Sequence, residues 1–166
     1  VAVLAGGDYE YHDSAWIKPI DNLYDRFLPS FDKNHPVVKS LESCIDSVIQ
    51  VVGDRAYINP PIMLDGLTTL SMLRTVEQLC MDLVDRPYTV RELSNALTGI
   101  YIECYEYFYN CLSKFNYTDT SSWLSAMAEG RSEAVQCDFG VMLPPEMYEK
   151  FALPDLFRLT DYLDYS

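Results

Sequence analysis

Residues 55–87 read RAYINPPIMLDGLTTLSMLRTVEQLCMDLVDRP. Arg55 to Ile58 has the look of a short strand, cut off by Asn59-Pro60-Pro61, since proline cannot donate to a strand ladder. Asp65 is a good helix cap. Beyond it Leu67, Leu70, Leu73, Val76, Leu79, Cys80, Leu83 and Val84 recur at helical spacing and predict one apolar stripe. Asp85-Arg86-Pro87 ends that helix. The stretch is therefore a strand followed by a helix.

The same alternation extends outward. Val1 to Leu4, closed by Gly6-Gly7, reads as a buried strand. Residues 8–35 form a long irregular segment with one helical turn near Asn22 to Phe27. His35-Pro36 opens a helix whose face is Val38, Leu41, Cys44, Ile45, Val48 and Val52, with Gly53 as its stop. Thr89 and Glu92 make a capping box for a third helix. That helix carries Val90, Leu93, Leu97, Ile100, Cys104, Phe108 and Cys111 on one stripe. Tyr101, Tyr105, Tyr107 and Tyr109 crowd it and read as core and groove packing, with a ligand-facing aromatic wall as the alternative. Residues 116–133 read as a polar loop around Trp123. Glu133 to Phe139 reads as a further strand, and Pro144-Pro145 opens a last helical region that restarts at Pro154. Strands separated by long helices imply an α/β fold, a parallel sheet with helical crossovers. Three strands would leave open edges, so the rest of the sheet is expected outside this chain, which does not begin with Met.

Composition narrows the function. The chain has 166 residues, 12 Lys+Arg against 25 Asp+Glu and a net charge of −13. That balance argues against a nucleic-acid binder and against docking on an anionic membrane through basic residues. Its plainest meaning is a solvated, self-repelling surface. No apolar run approaches the ~18–20 residues of a spanning helix. Five scattered cysteines without a CxxC suit a reducing, cytoplasmic setting. Asn116-Tyr117-Thr118 matches a glycosylation acceptor, a short and common motif. Walker A, GxGxxG, HExxH and GxSxG motifs are absent. His35 suits helix capping, and His12 lies in the irregular segment.

Two segments carry a family resemblance. Residues 65–87, quoted above, contain Leu73-Arg74, Glu77, Leu79, Asp82-Leu83 and Pro87. Residues 137–155 read CDFGVMLPPEMYEKFALPD and contain Leu143, Pro145-Glu146, Tyr148, Phe151 and Pro154. Together they resemble the uroporphyrinogen decarboxylase superfamily, with Thr75 where its first motif has glycine and Pro144 where its second has serine. The resemblance implies part of a (β/α)8 TIM-type barrel, with residues 1–166 as a central fragment of a single barrel domain. It implies one of two activities. One is methyl transfer between a small molecule, a corrinoid protein and a thiol. The other is cofactor-free decarboxylation of a tetrapyrrole. The methyltransferase-like branch is preferred, because a polycarboxylate substrate needs more basic residues than this chain offers at its strand ends. The zinc ligands of that branch lie outside the chain, so no cofactor is expected within it. A small-molecule substrate and a homodimer are further expectations, and the fragment alone is expected to be inactive.

The resemblance places Asp138 at a strand end facing the pocket, as the catalytic candidate. Barrel sites form at the C-terminal ends of strands. That rule also selects Asn59, with Tyr57 and Gln136 sharing the strand faces, as substrate-binding candidates. Arg74 and Glu77 read as a helix-surface pair. A competing reading is a non-catalytic helical binding or assembly module. It rests on the tyrosine-rich third helix and predicts an exposed aromatic groove in place of a strand-end pocket.

Overall fold

The computed structural model describes residues 1–113, 115, 119–124 and 126–166. Its helices are α1 (Leu23–Arg26), α2 (Pro36–Val52), α3 (Gly66–Arg74), α4 (Val76–Asp85), α5 (Pro87–Ser113), α6 (Pro145–Phe151) and α7 (Leu153–Tyr162). A 3-10 helix spans Asp138–Met142. Strands β1 (Tyr9–Tyr11) and β2 (Ala15–Ile17) form one antiparallel hairpin, and β3 (Asp119–Ser121) and β4 (Met127–Glu129) form another. The glycosylation motif at Asn116 lies outside the described residues.

The α/β barrel expectation is corrected: the fold is mostly helical, with two small antiparallel hairpins in place of a parallel sheet. Among the described residues the one parallel pairing is an isolated bridge between Ser132 and Tyr165. Short apolar runs carry no decisive period, and none of the three expected strands pairs in a sheet. Residues 1–7 coil into turns, with Ala5 N–H donating to Val1 O at 2.8 Å and Gly7 N–H to Ala2 O at 2.9 Å. Arg55 folds back on the end of α2, its Nε donating to Val52 O at 3.1 Å and its guanidinium also reaching Val51 O. It thereby satisfies carbonyls the helix leaves open. Between 133 and 139, the Glu133 carboxylate takes the N–H groups of Trp123 and Ala134.

Several helix ends follow their local signals, but α5 already starts at Pro87, ahead of the Thr89–Glu92 box expected to open it. His35 Nδ1 accepts the Val37 N–H at 3.2 Å, Pro36 occupies the first turn, and Gly53 ends α2 at φ 59°. The single helix expected over 65–85 is two. Thr75 breaks it at φ 78°, a left-handed backbone unusual for a β-branched residue, and its hydroxyl caps α4.

Helix α5 is 27 residues long, about 40 Å, and α2, α3, α4 and α7 all pack on it. Its buried side includes Val90, Leu97, Cys104, Tyr105 and Phe108. Helix α3 comes very close to α5 at Gly66, its first residue. A Cβ there would overlap Ser94 O and Thr98 Oγ1 on α5. No described helix is long and apolar enough to cross a membrane.

Gly66→Ala should therefore destabilise the fold by about 1–3 kcal/mol in urea unfolding, the cost of overpacking. Gly99→Ala, on α5 itself, meets only the flexible end of Arg158 and should be neutral or stabilising. Equal unfolding midpoints for Gly66→Ala and the parent chain would contradict the close contact.

Candidate functional site

Two polar regions surround α5. The first is buried. Asp65 caps α3, its Oδ1 accepting the N–H groups of Leu67 and Thr68 at 3.0 and 3.1 Å. Its Oδ2 has no hydrogen-bond partner, and the Cys137 thiol lies beside it. Thr68 Oγ1 accepts the Phe139 N–H at 3.2 Å, which docks the 3-10 helix on α3. Ser94 donates to Asp155, so α7 is tied to α5 by a buried hydroxyl–carboxylate contact. Tyr105 OH donates to Ser132 O at 2.8 Å and accepts the Ser132 N–H at 2.9 Å.

Burial raises the pKa of Asp65, Glu133 and Asp155 above the ordinary carboxylate range, against the pull of their hydrogen bonds. Burial, reinforced by Asp65, pushes the Cys137 thiol up to about 12. A thiol raised this far is overwhelmingly protonated at neutral pH, which makes it a poor nucleophile. This layer holds elements together.

The second region is an open groove on the far side of α5. Ile102, Glu103, Glu106, Tyr107 and Asn110 line it at helical spacing, joined by Phe31, Arg131 and Tyr162 around a cavity of about 570 Å³. Phe31 and Tyr107 meet edge to face, with centroids 5.4 Å apart and planes at 69°. The Tyr107 hydroxyl donates to Glu42 Oε1 at 2.5 Å, and Lys39 holds the other oxygen of Glu42 at 2.8 Å. The Tyr162 hydroxyl donates to Glu106 Oε2 at 2.5 Å, and Asn110 Nδ2 reaches Glu106 Oε1 at 3.1 Å. Both phenols are raised above the ordinary tyrosine pKa. For Tyr162 burial leads and Glu106 adds to it; for Tyr107 the bond to Glu42 leads. Both therefore remain protonated donors that fix rings and carboxylates together.

A cation already sits here. The Arg131 guanidinium lies over the Tyr162 ring, 4.7 Å from its centroid, and 3.9 Å from Glu106 Oε2. It also makes a forked pair with Asp164, at 3.1 Å for each bond.

The residues chosen from sequence lie elsewhere. Asp138 is exposed at the start of the 3-10 helix. Gln136 is half-buried in the irregular stretch before it, and Tyr57 is half-exposed. Asn59 donates from Nδ2 to Ser122 O at 3.1 Å, a loop-tying contact. Among the described residues no hydrogen bond or ion pair joins Asp138, Asn59 and Gln136. Nor do three His, Cys, Asp or Glu side chains converge to hold a metal ion. Sequence reasoning named the tyrosines of α5 but missed Phe31, Glu42, Arg131 and Tyr162, which arrive from distant segments. Only the i, i+4 pairs Glu103–Tyr107 and Glu106–Asn110 gave a local signal.

Comparison with protein-family models, curated proteins and solved structures found no match for this chain. The resemblance to the uroporphyrinogen decarboxylase superfamily thus rests on its two motifs alone, and the barrel it implies is not the observed fold.

The buried carboxyls set a pH dependence. Asp65, Glu133 and Asp155 hold their protons more tightly folded than unfolded. From about pH 4 up to their raised values the folded state binds more protons, so stability falls as pH rises. Exposed Asp8 and Asp164 are depressed by Lys18 and Arg131 and act in the opposite sense, but in water and weakly. The thermal midpoint should be higher near pH ~5 than near pH ~7.5. A midpoint that drops on acidification over this range would contradict the assignment.

Proposed function

We propose that this chain is a non-catalytic recognition module that binds a basic protein segment in the groove along α5. The observation that carries this reading is Arg131, a guanidinium stacked on Tyr162 beside Glu106, which marks the kind of group the groove accepts. Cations favour the faces of aromatic rings, most strongly where water is partly excluded. Glu103 and Glu106 supply complementary charge, and the net charge of −13 draws a basic partner in from a distance. The cavity is within the ~300–1,000 Å³ range of ligand sites. Tyr107 and Tyr162 are held by their glutamate partners, so little ordering is needed on binding.

The methyltransferase and decarboxylase readings drew on a barrel mouth, and the helical fold offers none among the described residues. A reducing, cytoplasmic setting accords with the five free cysteines.

The test is fluorescence anisotropy with a labelled Arg/Lys-rich peptide and an acidic peptide of equal length. The basic peptide should bind saturably and weaken as salt rises. The acidic one should not bind. Glu103→Gln with Glu106→Gln, which keeps the acceptor for Tyr162, should weaken the basic peptide by about 10-fold. Equal binding of both peptides, or an unchanged affinity in the double variant, would overturn the reading.

A further inference from the structure

A second cluster of charge lies where α3 and α4 end. Arg74 is the last residue of α3, and Arg86 follows α4 directly. Both guanidiniums lie over the ring of Tyr24, with Cζ atoms 5.6 and 5.8 Å from its centroid. The Tyr24 hydroxyl donates to Asp82 Oδ2 at 2.8 Å, and Arg74 Nε donates to the same oxygen at 2.6 Å. Asp82 is buried, at 5% exposure. It therefore uses the charge of Arg74 and holds the Tyr24 ring beside it.

Arg86 differs from most arginines of the chain. Arg55 donates to the end of α2, Arg91 to Lys150 O, Arg131 to Asp164 and Arg158 to Asn95. Among the described residues the Arg86 guanidinium makes no hydrogen bond or ion pair. Its ring contact with Tyr24 holds it at the edge of a small cavity of about 100 Å³, lined by Asn22, Leu23, Tyr24, Asp25, Arg74 and Arg86. A guanidinium presents five N–H donors in a fixed fork that matches oxyanions. Arg74 spends part of its fork on Asp82, and Arg86 spends none.

We propose that this cavity binds one small tetrahedral oxyanion: phosphate, either free or as the head of a phosphomonoester. Arg86 supplies the principal donors, Arg74 its remaining N–H groups, and the Asn22 amide a neutral donor. The room suits a single such group and excludes a nucleotide. Asp25 sets selectivity. Its carboxylate repels a fully ionised anion such as sulfate but accepts the proton of a P–OH group, as carboxylates accept from hydroxyls. No bond is made or broken. The site is independent of the α5 groove.

The experiment is a titration of the ¹⁵N-labelled chain at constant ionic strength, following backbone and arginine Nε–H signals. Its arms are inorganic phosphate, glycerol 2-phosphate and sulfate. Inorganic phosphate should shift Asn22, Tyr24, Arg74 and Arg86 saturably, and sulfate should bind more weakly. A tighter glycerol 2-phosphate curve assigns the cavity to the monoester, and an equal or weaker one to the free ion; both support an oxyanion site. Arg86→Gln leaves the Tyr24–Asp82–Arg74 contacts intact and should weaken phosphate by about 10-fold, the loss of charge-assisted hydrogen bonds. Asp25→Asn should bring sulfate up to phosphate. Non-saturating shifts common to all three anions, or an unchanged curve in Arg86→Gln, would overturn the proposal.

Discussion

The approach of α3 to α5 at Gly66 fixes where the other elements can go. With no side chain at that position, the start of α3 rests on the backbone of Ser94 and the hydroxyl of Thr98. Asp65, one residue earlier, is carried below the surface while it caps the helix. Thr68, one turn on, is placed to receive the Phe139 N–H and so seats the 3-10 helix. On the other side of the contact, Ser94 reaches Asp155 and anchors α7. Burial makes ionising a carboxyl costly, and the pKa values of Asp65 and Asp155 are raised by it. The polar layer is thus a consequence of close packing, and its chemistry is quiet.

That packing leaves the opposite face of α5 only partly covered. The alternation of Tyr and Glu along residues 101–107 divides between the two environments. Tyr101 and Tyr105 turn inward and stack with ring centroids 6.4 Å apart, while Tyr107, Glu103 and Glu106 turn to the groove. Each groove tyrosine is held by a carboxylate: Tyr107 by Glu42 and Tyr162 by Glu106. The acidic excess of the chain therefore has a local expression, as carboxylates fixed beside aromatic walls. Elsewhere the guanidiniums of Arg74 and Arg86 gather over Tyr24, and the buried Asp82 holds the Tyr24 hydroxyl and Arg74.

The helices were legible because their signals are local. His35-Pro36 and Gly53 bound α2, Asp65 caps α3, and the paired prolines at 144 and 145 open α6, each acting within a turn of itself. The strands were not legible. Val1–Leu4 and Arg55–Ile58 are short apolar runs, and what decides their backbone is the partner available in three dimensions. For Arg55 that partner is its own preceding helix. The break at Thr75 was also hidden, since the apolar stripe continues across it and only the backbone reverses hand. The groove was half legible. Tyrosines crowding one helix read first as core and groove packing, with an aromatic wall as the alternative, and Phe31, Glu42, Arg131 and Tyr162 are brought to the groove by the fold. Asp138 and Asn59 were selected by a rule for strand ends, and neither sits at one.

The central claim is that the α5 groove reads positive charge. Its most direct test is an NMR footprint of an Arg/Lys-rich peptide on the ¹⁵N-labelled chain. The account predicts saturable shifts at Phe31, along residues 102–110, and at Arg131 and Tyr162, with residues 57–59 and 136–138 unmoved. A footprint centred on Asp138 and Asn59, or none along α5, would contradict it.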